Sequence, residues 1–287
     1  MVGSRFRRGH LPLGHARFQY LHHNSLVKIL LPPSETKSDG TADLPLALES
    51  LSFPELTKTR LKVAKALISL SKKPRVARVQ LGISEKLDSE RLRNIELLTA
   101  KTSPAHSIYS GVVYDALAYA ELPAAAKKRA DEICIVQSAL FGWVSFGDRI
   151  PPYRLSGDTK LFATTSLAQL WKPAITKAAK ALEPQELIVD MRSGNYATHW
   201  QPSTEDVQRT VVIKVVQEVG TGSTAKKIAV SHFNKATKGK IANSLLRAEV
   251  SPQNPQELHE LLGELGYTSV FIAGNAKQPA TLEIDMV

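Results

Sequence analysis

The chain has 287 residues, of which 43% are hydrophobic and 22% charged. That is enough apolar content to bury one large core or two small ones, which excludes a disordered chain or a coiled coil. A single cysteine, Cys134, excludes an intramolecular disulfide and a multi-cysteine zinc or iron–sulfur site, and fits a reducing cytoplasm. The net charge of +10 raises a polyanion as partner, and no run reaches the roughly 18 to 20 apolar residues that cross a bilayer, so no membrane association is expected.

Residues 1–26 hold Arg5, Arg7, Arg8 and Arg17, no acid, and His10, His15, His22 and His23. Pro12, Gly14 and His15 interrupt the apolar stretch, which argues against a secretory signal. No hydrophobic period supports packing there, so the segment is read as a flexible N-terminal extension ahead of one compact domain over 27–287.

Leu56, Val63, Ala64, Leu67 and Ile68 follow helical spacing behind Pro54, with Lys58, Lys62, Lys65 and Lys72 recurring on another face, a pattern for an amphipathic helix with a basic stripe. Pro74 closes it. A second short helix through Val76 and Val79 reaches Leu81-Gly82-Ile83-Ser84, and a third is expected to turn Leu87, Leu92, Ile95 and Leu98 inward. Helix, glycine turn and helix can present N–H groups to a phosphate, although a hairpin with solvated lysines fits the same spacing. Residues 54–86 carry a net +7 and residues 226–247 a net +6, which leaves the chain outside these and the N-terminal extension at −7. The basicity is local, and it favours a phosphate backbone as partner over general stickiness.

Strands are expected over 27–31, 133–140, 186–191, 210–218, 227–233 and 268–273, all rich in Val and Ile. Helices separate most of them, while Gly220-Thr221-Gly222-Ser223 reads as a hairpin turn. Crossover and hairpin connections together predict an α+β or mixed α/β fold with a mixed sheet flanked by helices. Gly220–Lys227 lacks the spacing of a phosphate loop. His106, His199, His232 and His259 are isolated, so no metal site and no cofactor is expected, and Cys134 reads as an inert buried thiol.

Four polar constellations follow strands. Leu31–Lys37 is a proline turn whose Lys37 can meet an anion. Gln137–Lys160 carries Ser138, Tyr153 and Arg154, a stacking face beside a guanidinium fork suited to a base and a phosphate, or else a packed loop over the core. Ser231–Lys240 places Lys235 and Lys238 at a helix start, where Lys opposes the macrodipole and a bound anion would compensate. Ser193 and Tyr196 complete the set. In open sheets such strand ends converge on one crevice.

Taken in order, Lys37 with its proline turn, Ile83–Leu87, Ile108-Tyr109-Ser110-Gly111, Ser138–Gly142, Pro152–Leu155, Ser193 with Tyr196, and Ser231 with Phe233, Lys235, Lys238 and Gly239 resemble the peroxide stress protein YaaA family over about residues 27–267. The resemblance implies a cytoplasmic oxidative-stress protein that limits iron-dependent damage, with a basic cleft and a helix-hairpin-helix-like DNA-binding element at residues 75–95. Ser84 stands where that element usually has its second glycine.

Two functions are thus expected. The first is DNA binding, with Lys58, Lys62, Lys65, Lys72, Lys73, Arg75, Arg78, Ser84, Lys86, Lys235 and Lys238 meeting phosphates, and a ligand pocket of Lys37, Tyr109, Ser138, Tyr153, Arg154, Ser193 and Tyr196. The alternative is an enzyme acting on a nucleotide or damaged base, with Lys235, Tyr153, Arg154 and Ser193 as catalytic candidates and Asp148, Asp158 and Asp190 nearby in sequence. Direct iron sequestration is disfavoured by the scarcity of ligand clusters.

Overall fold

The computed structural model describes residues 19–20, 27–40, 44–219, 226–228 and 231–286. The expected extension therefore lies outside the described residues, apart from Gln19–Tyr20, a short strand antiparallel to Val250–Ser251. Residues 220–225, which hold the whole of the Gly220–Ser223 turn, also lie outside them.

The chain forms one mixed sheet with helices around it. Its strands are β1 (Val27–Leu31), β2 (Cys134–Ser138), β3 (Gly142–Ser145), β4 (Leu187–Asp190), β5 (Thr210–Val219), β6 (Lys226–Ile228), β7 (Ser269–Ile272) and β8 (Ala280–Asp285). Seven run in the order β7-β8-β5-β4-β1-β2-β3, and β6 pairs with β5. The central pairs β8–β5, β5–β4, β4–β1 and β1–β2 are parallel, with Ile29 opposite both Val189 and Cys134. The outer pairs β7–β8 and β2–β3 are antiparallel. Strands β2 and β4 are buried along their whole length, as a parallel sheet covered on both faces requires.

The helices are α1 (Thr57–Ser71), α2 (Pro74–Leu81), α3 (Asp88–Ile95), α4 (Val112–Leu117), α5 (Ala124–Ile133), α6 (Leu167–Ala178), α7 (Ser231–Arg247) and α8 (Pro255–Glu264). Helix α7 packs on β5 and crosses α4, while α5 lies against β1, β2 and β3. A Ser166–Gln169 capping box starts α6, satisfying two N–H groups that would otherwise lack partners. Gly142, at φ +70°, opens β3, where an added Cβ would sit 2.7 Å from the Trp171 ring.

Several expectations need correction. Strand 227–233 stops at Ile228, and α7 already begins at Ser231. Strands β3 and β8 had no place in the sequence reading. Leu87 and Leu92 do not face inward: they are 48% and 51% exposed, and Arg91 and Asn94 occupy the buried face of α3. Ile95 and Leu98 are half-buried, Leu98 against the core, while Arg91 takes a buried place because it spends its charge on Asp88 and on the Ser71 carbonyl and so tolerates burial.

Candidate functional site

The parallel strands β1, β2 and β4 end on one edge of the sheet, and the polar constellations converge there. Past β1, the turn Pro32-Pro33-Ser34 brings Lys37 back across the strand end, where Lys37 and Tyr109 form an isolated antiparallel bridge. The Lys37 ammonium donates to the Ser34 carbonyl at 2.8 Å and the Glu35 carbonyl at 3.4 Å. It lies 4.1 Å from the Tyr153 ring centroid and 5.6 Å from that of Tyr109. Burial, and secondarily the charge of Arg154, bring its pKa down to about 7, against the opposing pull of Glu90 and Glu35.

Beneath the lysine runs a chain of hydroxyls. Ser138 Oγ, at the end of β2, accepts the N–H groups of Leu140 (3.1 Å) and Phe141 (3.0 Å) and sits 2.7 Å from Tyr153 Oη. With both acceptor sites of Ser138 taken, its own proton is the one directed at Tyr153. Tyr153 Oη in turn lies 3.1 Å from Tyr109 Oη. Burial pushes both phenols above their ordinary pKa, so they stay neutral. Tyr153 is fully buried and edge-on to Phe141. Its ring faces Lys37 and offers no open stacking surface to a base, which corrects the stacking-face expectation; Phe141, Trp143 and Tyr153 do cover the core as a packed loop would.

Arg154, beside this pocket, is held from two directions. Its backbone N–H and carbonyl bond the Asn94 side chain, each at 2.9 Å, and its guanidinium reaches Glu35 at 3.1 Å. Beyond β4, Ser193 is exposed, and Tyr196 Oη accepts the Gly157 N–H at 3.1 Å. Burial raises Tyr196 to about 12. His199 next to it is fully buried, with neither ring nitrogen hydrogen-bonded, and desolvation lowers it to about 4.

The second basic segment divides. Lys235 is exposed on α7, whereas Lys238 is buried and donates to the carbonyls of Met191 (3.0 Å) and Arg192 (3.3 Å). Desolvation lowers Lys238 to about 8, opposed by Asp190. Lys238 therefore ties α7 to the end of β4 and presents no charge at the surface. Of the three acids, Asp190 is locked to Arg192, Asp148 accepts from Ser52 and from the Ser145 N–H, and Asp158 is exposed.

Helices α1–α3 are mounted beside this edge. Arg60, fully buried in α1, donates to the Phe141, Ser52 and Trp143 carbonyls at 2.9, 2.6 and 2.6 Å, and burial lowers it to about 10. Its phase with Val63, Ala64 and Leu67 was the available signal that this arginine, unlike the neighbouring lysines, points inward. Lys58, Lys62, Lys65, Lys72, Lys73, Arg75, Ser84 and Lys86 are exposed. Lys62 lies over the Phe162 ring. Gly82, in the left-handed conformation, ends α2, and the Ile83 N–H returns to the Arg78 carbonyl at 3.0 Å, a closure of the Schellman type. Arg78 is only half-buried and is paired with Glu85 and Asp88, so it fixes the turn. Asp88 also accepts from Arg91; these bonds, Arg91 first, hold its carboxyl well below the usual range. Among the described residues, no group of three or more His, Cys, Asp or Glu side chains could hold a metal ion, and no helix is long and apolar enough to cross a membrane.

A family model described as "Peroxide stress protein YaaA" matches residues 27–270. A UPF0246 protein of Streptomyces coelicolor is 43% identical over 240 residues, 83% of this chain and 90% of its own length. One from Corynebacterium efficiens is 42% identical over 260 residues, 89% and 99% of the two chains. An uncharacterized protein of Campylobacter jejuni is 26% identical over 90% of this chain and 99% of its own. With its strand-end motifs in order and the match running from β1 into the start of β7, the chain belongs to the peroxide stress protein YaaA family, which gives it a general role in the stress response.

Proposed function

We propose that this stress protein binds DNA in the cytoplasm through α1 and the α2–α3 hairpin. The observation that carries the reading is the exposed row Lys58, Lys62 and Lys65 on α1, continued by Lys72 and Lys73 just past its end, on a helix whose opposite face is fixed by buried Arg60. Lysines spaced three and four apart share one helix face, and because the helix is already folded only their side chains need ordering against successive phosphates. Arg75, Ser84 and Lys86 would extend the contact around the Gly82 turn, and Lys235 would add to it from α7. Binding would displace counterions from the phosphates, ferrous iron included, and so keep peroxide chemistry away from the duplex. Affinity for a short duplex is expected to fall with salt by about 0.9 log units per log unit for each phosphate neutralised. The double change Lys62→Glu with Lys65→Glu should reduce the slope. Binding that is absent at low salt, or salt-independent, rules the reading out.

A second reading, an enzyme acting on a nucleotide or damaged base, draws on the buried Lys37 and the hydroxyl chain of Ser138, Tyr153 and Tyr109. Arg154 and Ser193 would contact its ligand, and Tyr196 would close the rim. Oligonucleotides carrying oxidised or missing bases test it: a cleaved or modified product that disappears in Lys37→Met supports catalysis, and a panel left intact refutes it.

A further inference from the structure

The geometry points to Lys37 as a nucleophilic amine that forms an imine with an aldehyde bearing a phosphate group. Three observations converge. Lys37 is buried, 7% exposed as a residue, and the two hydrogen-bond acceptors of its amine are carbonyls of its own turn, so no carboxylate holds it protonated by direct contact. It stands at the carboxyl end of a parallel strand, the edge on which open α/β sheets receive ligands. Arg154 lies close enough to act on its charge, and among the described residues the only protein acceptor of that guanidinium is Glu35, itself 68% exposed at the side chain. A phosphate displacing Glu35 would gain the planar fork that suits it.

The charged groups acting on the amine are Arg154 from the loop after β3, Glu90 from α3 and Glu35 from its own turn, with Tyr109 and Tyr153 beneath it. Burial and Arg154 outweigh the two glutamates, which leaves a substantial fraction of free amine at neutral pH. In the reaction the nitrogen lone pair forms the C–N bond and the carbonyl pair moves to oxygen. The nitrogen gives up a proton and the oxygen gains one, giving a carbinolamine. Its hydroxyl then takes a second proton and leaves as water while the nitrogen lone pair forms the C=N bond, and the nitrogen's remaining N–H proton is released to replace the one consumed, so the imine and one water form with no other reactant. The amine faces the Tyr153 and Tyr109 rings, whose hydroxyls are joined to each other and to Ser138, and in this proposal that chain relays the protons.

Two sources carry this chemistry: a free phosphorylated aldehyde, or the open-chain aldehyde of an abasic site between two phosphates. Only the second rests on the DNA-binding reading. The full chain would be incubated with pyridoxal 5′-phosphate across pH 5.5–9.5 at about 1 mM, reduced with borohydride and mapped by mass spectrometry. One adduct at Lys37 is expected, with half-maximal yield near pH 7, ahead of the exposed lysines. Labelling spread over Lys58, Lys62 and Lys65 with Lys37 unmodified overturns the inference. Tyr153→Phe, which keeps the ring, should slow adduct formation at least tenfold; an unchanged rate with Lys37 labelled removes the hydroxyl chain from the proposal. Duplex containing an abasic site, trapped with cyanoborohydride, separates the sources. Capture lost in Lys62→Glu/Lys65→Glu, with the pyridoxal phosphate adduct retained, assigns the substrate to DNA. No capture of the duplex beside a retained adduct assigns it to a small aldehyde and counts against the DNA reading alone.

Discussion

Lys37 sits with its ammonium 4.1 Å from the centroid of the Tyr153 ring, and the two residues meet because β1 and β2 are parallel neighbours ending on the same edge. The aromatic face attracts the cation, yet burial outweighs it and lowers the pKa from 10.5 to about 7. The folded state therefore releases this proton before the unfolded chain does. Between about pH 7 and 10.5 the unfolded state binds more protons, so stability rises with pH across that window. Below it the penalty of burying the charge is present in full. Lys37→Met should raise the melting temperature at pH 6 and lose the advantage by pH 10. Lys238 titrates in an overlapping window, so the measurement is the difference between wild-type and variant denaturation curves; a difference independent of pH counts against the depressed lysine.

Gly239 makes the crossing of α4 and α7 possible. An added Cβ would stand 2.2 Å from the Val113 carbonyl oxygen and 2.8 Å from Ala116 Cβ, and neither backbone can yield without parting the helices. Gly239→Ala should destabilise the protein by ~3 kcal/mol, the upper end of ordinary overpacking. Gly263, with nothing near its Cβ position, is the control: Gly263→Ala should be neutral or slightly stabilising, as expected for a helix interior. Urea unfolding of the pair checks both.

Asp88 fastens the hairpin by accepting from Arg78 and Arg91 at once. Asp88→Asn keeps the size and removes the charge. Hydrogen exchange at residues 78–92 should quicken while β1, β2 and β4 remain protected, because the bonds lost are local. DNA affinity should fall even though no contacting lysine has changed. Equal exchange in variant and wild type would place the rigidity of the turn elsewhere, in the Gly82 cap.

The Val- and Ile-rich strands were legible because a buried parallel strand writes itself as an unbroken apolar run, as in the Leu-Ile-Val of β4. β8 alternates instead, with Ala280, Leu282 and Ile284 buried between Thr281 and Glu283, and its pattern at the end of the chain went unread. β3 was hidden inside a stretch whose aromatics suggested a ligand loop. The site was legible as a set of strand ends, but burial was not. Lys37 and Lys238 look in sequence like the surface lysines Lys62 and Lys65, and what separates them is a carbonyl acceptor contributed by the fold: Ser34 for one, Met191 and Arg192 for the other. Arg60 was counted with the basic segment, although its place in the apolar phase of α1 matches its burial.

His199 gives the acid limb of stability its own signature. The imidazole is fully buried and lacks hydrogen bonds at both nitrogens, and desolvation moves its pKa from 6.5 to about 4. As pH falls from 6.5 toward 4, the unfolded chain takes up a proton that the folded protein refuses, so stability is lost through that window. At 1.36 kcal/mol per pKa unit the loss reaches up to ~3 kcal/mol. His199→Leu fills similar space and also removes two buried unpaired nitrogens, so it should be at least as stable as wild type near pH 7.5 and gain on it further down to pH 4. Thermal melts of both proteins at half-unit steps of pH supply the test. Parallel acid limbs would mean that a bound water or a local opening hydrates the ring, and would remove His199 as the group responsible.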